Sequence, residues 1–70
     1  MSKGNNNNLK IKIMRTSILN LIRKSGIISF NDIIYALNLQ TEYKEAAKQI
    51  AYLQMDGLVH YKQGEGYEAK

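Results

Sequence analysis

The period of the chain changes at Gly57, and that change limits what it can fold into. Before it, from Thr41 to Asp56, apolar residues recur three and four apart, which puts Ala46, Ile50 and Leu53 on one narrow stripe of a helix. Nearly opposite that stripe lie Lys44, Lys48, Ala51 and Met55. One side is thin and apolar, fit to pack against two other helices; the other carries two ammonium groups one turn apart beside a small residue. The Thr41 hydroxyl is placed to cap the first turn, Glu42 and Glu45 sit near its positive end, and Gly57 supplies a left-handed residue to stop it. After Gly57 come the β-branched and aromatic run Leu58-Val59-His60-Tyr61-Lys62, the turn Gln63-Gly64-Glu65-Gly66, and the second run Tyr67-Glu68-Ala69-Lys70. A β-hairpin is predicted there.

Seventy residues make one domain at most, and a chain this short buries only about 60% of the surface its unfolded form exposes. There is no cysteine, so no disulfide or thiolate metal site can staple the fold. Good helix packing or self-association must do so instead, and a homodimer is expected. No apolar run is long enough for a membrane span or a signal sequence, and the expected location is the cytoplasm.

The net charge of +4 is unevenly placed. Residues 1–15 hold Lys3, Lys10, Lys12 and Arg15 and no acid, while residues 16–70 hold six basic and six acidic residues. A basic arm on a neutral body suits a polyanion-binding domain, and it is equally the look of a plain solubilising leader. Residues 1–9, with Gly4 and Asn5 to Asn8, read as a flexible basic, Asn-rich arm, and residues 10–70 as the domain.

Leu9-Lys10-Ile11-Lys12-Ile13 alternates with period two, whereas Ile11, Met14, Ile18, Leu21 and Ile22 follow helical spacing. The longer pattern predicts a helix from about Lys10 to Lys24, ended by Ser25-Gly26, with a strand over residues 9–13 as the alternative. Ile13 and Leu19 fall off its main stripe and offer an intersubunit surface, unless Leu19 merely edges a wide buried stripe. Gly26-Ile27-Ile28 gives one or two extended residues. Ser29 with Asp32 three residues on resembles a capping box, opening a second helix with Phe30, Ile33, Ile34 and Leu37 on its apolar side. Asn38 can take the left-handed conformation at its end.

Helix, short extended piece, helix, turn, helix and hairpin is the order of the winged helix-turn-helix domain, an α+β, mainly α fold. The stretch Ala46-x-x-x-Ile50-x-x-Leu53-x-x-x-Gly57-Leu58-Val59 resembles the third-helix signature of ArsR-like and MarR-like transcription repressors. Gly26-x-Ile28-Ser29-x-x-Asp32-Ile33 is similar to their entry into the second helix, and the resemblance covers roughly residues 16–69. The interval from Leu39 to Ala46 exceeds the usual turn by about two residues, so the third helix starts with an extra half turn or the turn is wider.

The resemblance implies that the outer face of the third helix enters the major groove of double-stranded DNA. Lys44 and Lys48 would then meet phosphates or guanine edges, with Thr41, Tyr43, Ala47 and Ala51 at the groove surface and Lys62, Gln63 and Gly64 of the wing beside them. The plain alternative is a solvated face with Glu45 paired to Lys48 or Gln49. Gly66 is also read at the wing tip, and Tyr61 and Tyr67 pair across the hairpin or stack on bases.

His60 stands alone, without the cysteines or carboxylates a metal site needs, and is expected to be a strand histidine with both ring nitrogens satisfied. There is no glycine-rich phosphate loop, nucleophile elbow or pair of acids at catalytic spacing, so neither an enzyme nor a cofactor is expected. The leading expectation is a homodimeric, sequence-specific repressor that takes no small-molecule ligand, paired through its first helix or N-terminal segment. A winged helix used for protein contacts, or a non-specific nucleic-acid binder acting through the basic arm, are the alternatives.

Overall fold

In chain order the elements are α1 (Ser2–Ser25), β1 (Ile27–Ile28), α2 (Phe30–Ala36), a 3₁₀ turn (Gln40–Glu42), α3 (Tyr43–Met55), β2 (Val59–Lys62) and β3 (Gly66–Ala69). The computed structural model describes the backbone of residues 2–70 and the side chains of residues 9–70. Three helices and a C-terminal antiparallel hairpin give the α+β, winged-helix-like layout. Among the described residues no helix is long and apolar enough to cross a membrane.

The helical register wins over the alternation at residues 9–13, because only it sets Met14, Ile18 and Ile22 on one buried face. Helix α1 begins at Ser2 rather than near Lys10. Nothing from Ser2 to Leu9 forbids helical backbone, since asparagine costs at most about 0.7 kcal/mol against alanine in a helix. The side chains expected to form the flexible arm, up to residue 8, lie outside the described residues. Leu19 packs at the edge of the core, whereas Ile13 is 57% exposed.

The Ser29 Oγ accepts the Asp32 amide at 3.2 Å and opens α2. Asn38, at φ 59°, closes it: the Leu39 amide returns to the Ile34 carbonyl and the Asn38 amide to the Tyr35 carbonyl. Gly57, at φ 79°, ends α3 in the same way, with Leu58 bonded to Leu53 and Gly57 to Gln54.

Thr41 is not the cap of the third helix. Residues 40–42 form the 3₁₀ turn, α3 starts two residues later at Tyr43, and no side chain caps it. That turn takes up the extra length between Leu39 and Ala46. The Glu42 carboxylate meets Lys10 of α1 at 2.6 Å instead, so one of the N-terminal cations is already paired.

The sheet order is β1-β3-β2, all antiparallel, so the last strand lies in the middle. Ile27 and Ile28, two extended residues in the sequence, become an edge strand against Glu68 and Tyr67. Gly66 is therefore not at the wing tip: it is buried against β1, and a Cβ there would come 2.4 Å from the Ile28 carbonyl oxygen. His60 sits opposite Glu68, with Nε2 3.0 Å from Oε1, but its Nδ1 is buried without a partner. The ring is half satisfied.

Met14, Ile18 and Ile22 of α1, Ile33 and Ile34 of α2, Ala46, Ile50 and Leu53 of α3 and Val59 of β2 make one core. Each element contributes one apolar stripe, as a small layered domain requires. The core fixes which side of α3 faces outward.

Candidate nucleic-acid interface

Successive residues of a helix turn by about 100°, so the buried set Ala46, Gln49, Ile50 and Leu53 divides the rest of α3 into three further sides. Toward α1 point Glu45 and Tyr52. Arg15 Nε donates to Gln49 Oε1 at 2.8 Å, Gln49 Nε2 donates to Glu45 Oε2 at 2.6 Å, and the Arg15 guanidinium lies 5.3 Å from the Tyr52 ring centre. Toward α2 and the hairpin lie Tyr43 and Gln54, each lining a cleft there. Outward point Lys44, Lys48, Ala51 and Met55, all exposed.

Thr41, Tyr43, Lys44, Ala47, Lys48, Ala51, Lys62, Gln63 and Gly64 are the side chains expected at a DNA surface. The structure leaves all nine open to solvent. Five of the nine, Tyr43, Lys44, Ala47, Lys48 and Ala51, share the first turns of α3, whereas Thr41 precedes the helix in the 3₁₀ turn. Lys62, Gln63 and Gly64 belong to the hairpin end, where the Glu65 amide bonds the Lys62 carbonyl at 2.9 Å. Gly64 and Gln54 line the same cleft, so the hairpin tip flanks the C-terminal half of α3.

Of the two partners open to Glu45, Gln49 is the one it takes, which turns the carboxylate away from Lys48. Among the described residues the ion pair is Lys10 with Glu42, and Glu68 is taken up by the His60 ring. Among the described residues no carboxylate lies within salt-bridge distance of Lys44, Lys48 or Lys62, although Glu65 shares the hairpin end with Lys62. Lys10 and Arg15, counted in the sequence as part of a basic arm, turn instead toward Glu42, Gln49 and Tyr52.

Tyr61 and Tyr67 face each other in register, ring centres 5.1 Å apart and tilted by 57°. Burial, and then the neighbouring Tyr61, hold the Tyr67 hydroxyl above the usual tyrosine range. No three His, Cys, Asp or Glu side chains among the described residues are grouped to hold a metal ion.

No family model, curated protein or solved structure matches this chain. Its chemistry has to follow from its own side chains. The sequence did not single out Arg15, Gln49, Phe30 and Gln54 as site residues, yet they orient α3 and line its inner edge. Gln49 was detectable, since it lies three residues after Ala46 and four before Leu53 on the buried stripe. Phe30 and Gln54 carried no such signal, because their meeting depends on how α2 and the hairpin approach α3.

Proposed function

We propose that the protein is a sequence-specific double-stranded DNA-binding transcription regulator of the winged helix-turn-helix kind, a repressor acting in the cytoplasm. One observation carries this reading: Lys44 and Lys48 project outward one turn apart, with no carboxylate at salt-bridge distance among the described residues. The small Ala51 lies beside them, and Ala47 is exposed at the edge of that face. A rod about 10 Å across with small residues on its outer face fits the major groove, and the lysines meet the phosphates that line it. Lysine offers a point charge rather than the arginine fork, so these contacts position more than they specify. Gln63 and Gly64 of the hairpin end would meet the backbone next to the groove, with Lys62 adding its charge.

A homodimer fits this role, with exposed Leu9 and Ile13 of α1 as the apolar surface for the second copy. Two copies on an inverted repeat would place their α3 helices about one helical turn of DNA apart.

The test is a selection of binding sites from random duplex DNA, followed by titration of the selected duplex with the wild type and with Lys44→Ala/Lys48→Ala. Binding should weaken several-fold or more in the double variant while the thermal midpoint holds. The salt slope should fall by about 0.9 for each phosphate that the variant no longer neutralises. Equal affinity of the two proteins removes α3 from the interface.

A protein-contact role is the second reading, favoured by Met55, 79% exposed on the same outer face, and by exposed Leu58 nearby in sequence. Selection of no duplex at all, with the protein found in a defined complex that Met55→Glu disrupts, would establish it.

A further inference from the structure

Five of the six aromatic side chains line two clefts on one edge of α3: Tyr35 and Tyr43 one of them, Tyr61 and Tyr67 the other, with Phe30 on both. The sixth, Tyr52, lies on the opposite edge against Arg15. Aromatic rings in so small a chain ordinarily go to the core first, yet here the core is almost wholly aliphatic and the rings border clefts instead.

The larger cleft is a groove open to solvent that offers about 520 Å³, within the roughly 300–1,000 Å³ of small-molecule sites. Its walls combine Phe30 of α2 with Tyr61 and Tyr67 of the hairpin, and Gln54 of α3, Gly64 and Glu65 add polar groups. The tilt of the tyrosine pair leaves Tyr61 half exposed, so part of its ring is free to be stacked upon. The amide of Gln54 carries both a donor and an acceptor, the pair that reads the edge of a base such as adenine. Glu65 is an acceptor for an exocyclic amine and repels a phosphate. A flat, uncharged, hydrogen-bonding ring suits these walls; a phosphate or an acidic peptide does not.

Resting on the DNA-binding reading above, we propose that this cleft takes an unpaired nucleobase from the end or a gap of the DNA held on α3. Phosphates on either side of that base run along the outward lysine face, one helix edge away from Gln54. The base leaves the stack, enters between Phe30 and Tyr61, and is read by Gln54 and Glu65. The smaller cleft between Tyr35 and Tyr43 continues the track past Phe30, so the next unpaired base has an aromatic neighbour as well.

The experiment compares a blunt duplex with the same duplex carrying a short adenine overhang, by fluorescence anisotropy, for the wild type, Tyr61→Leu and Gln54→Leu. The overhang should tighten wild-type binding by about tenfold, the usual order for one stacked base, and quench tyrosine emission. Both variants should lose that advantage and keep the blunt-duplex affinity. Gln54 is exposed on α3, so Gln54→Leu keeps the test open if Tyr61→Leu loosens the hairpin. Equal affinity for blunt and overhanging DNA overturns the base cleft and leaves duplex binding standing. An overhang advantage retained by both variants places the unpaired base elsewhere and also overturns it. Absence of binding to either DNA, with an aromatic peptide or a second copy of the chain protecting Tyr61 instead, overturns both readings.

Discussion

Arg15 of α1 and Gln49 of α3 are joined by a 2.8 Å hydrogen bond in the middle of an otherwise apolar seam. Gln49 is 1% exposed, and its other amide atom is bound to Glu45. Apolar packing alone tolerates rotation of a helix about its axis, whereas a buried amide with both ends occupied fixes one orientation. That orientation is the one that points Lys44 and Lys48 outward.

Stranding the buried Gln49 oxygen should therefore cost more than replacing Gln49 itself, because Arg15 and Glu45 are only partly buried and can turn to water once Gln49 is gone. Arg15→Ala leaves the Gln49 oxygen buried without a partner and should destabilise by about 1–3 kcal/mol. Gln49→Met, similar in volume and apolar, should lose less than about 1 kcal/mol. Urea denaturation of both variants decides; an equal loss means that the bond does not hold the seam.

Ile50 is wholly buried and Met55 almost wholly exposed on the same helix. Ile50→Ala should remove about 2–5 kcal/mol, a large part of the roughly 5–15 kcal/mol that a typical domain has. Met55→Ala should stay within about 0.5 kcal/mol. Thermal melts that rank the two alike would contradict the placement of the α3 stripe.

At Gly66 the backbone has φ 133°, and a side chain would collide with the Ile28 carbonyl. Gly66→Ala should cost about 1–3 kcal/mol through strain, and β1 must move off β3 to admit the methyl group. Amide exchange should quicken at residues 27–28 and 66–68 before the helices respond; protection unchanged there would sink the close approach.

Tyr67 has a folded pKa above its unfolded value near 10, from burial first and Tyr61 second. Between those values the folded state holds more protons than the unfolded, so this contribution to stability is complete below pH 10 and is lost as pH rises through the folded value. Tyr67→Phe should flatten the alkaline limb of the stability curve. Tyrosinate absorbance in the wild type should show a late-titrating component that Tyr67→Phe removes; a titration curve whose late end the substitution leaves unchanged would exclude the effect.

The local elements were readable because their causes are local. Ser29 three residues before Asp32, Asn38 and Gly57 at left-handed stops, and the Ala46, Ile50, Leu53 spacing each act within one or two turns. Tyr61 faces Tyr67 because the loop is the three residues Gln63, Gly64 and Glu65, one fewer than the four-residue turn read from the sequence. Thr41 was misread as a cap because a threonine before an apolar-periodic run looks the same whether an α-helix or a 3₁₀ turn follows. Gly66 looked like a tip residue because its close neighbour, Ile28, is distant in the chain.

By itself the sequence determined three amphipathic helices, their stops, a terminal hairpin, and a lysine-bearing side of the third helix opposite its apolar stripe, since periodicity and capping need only neighbouring residues. The tertiary structure alone decided that β3 lies between β1 and β2, that Arg15 reaches Gln49, that Lys10 is spent on Glu42, and that Phe30 and Gln54 meet the tyrosines in one cleft. These pairings join residues far apart in sequence, and no local preference encodes which of them meet until the apolar stripes have packed.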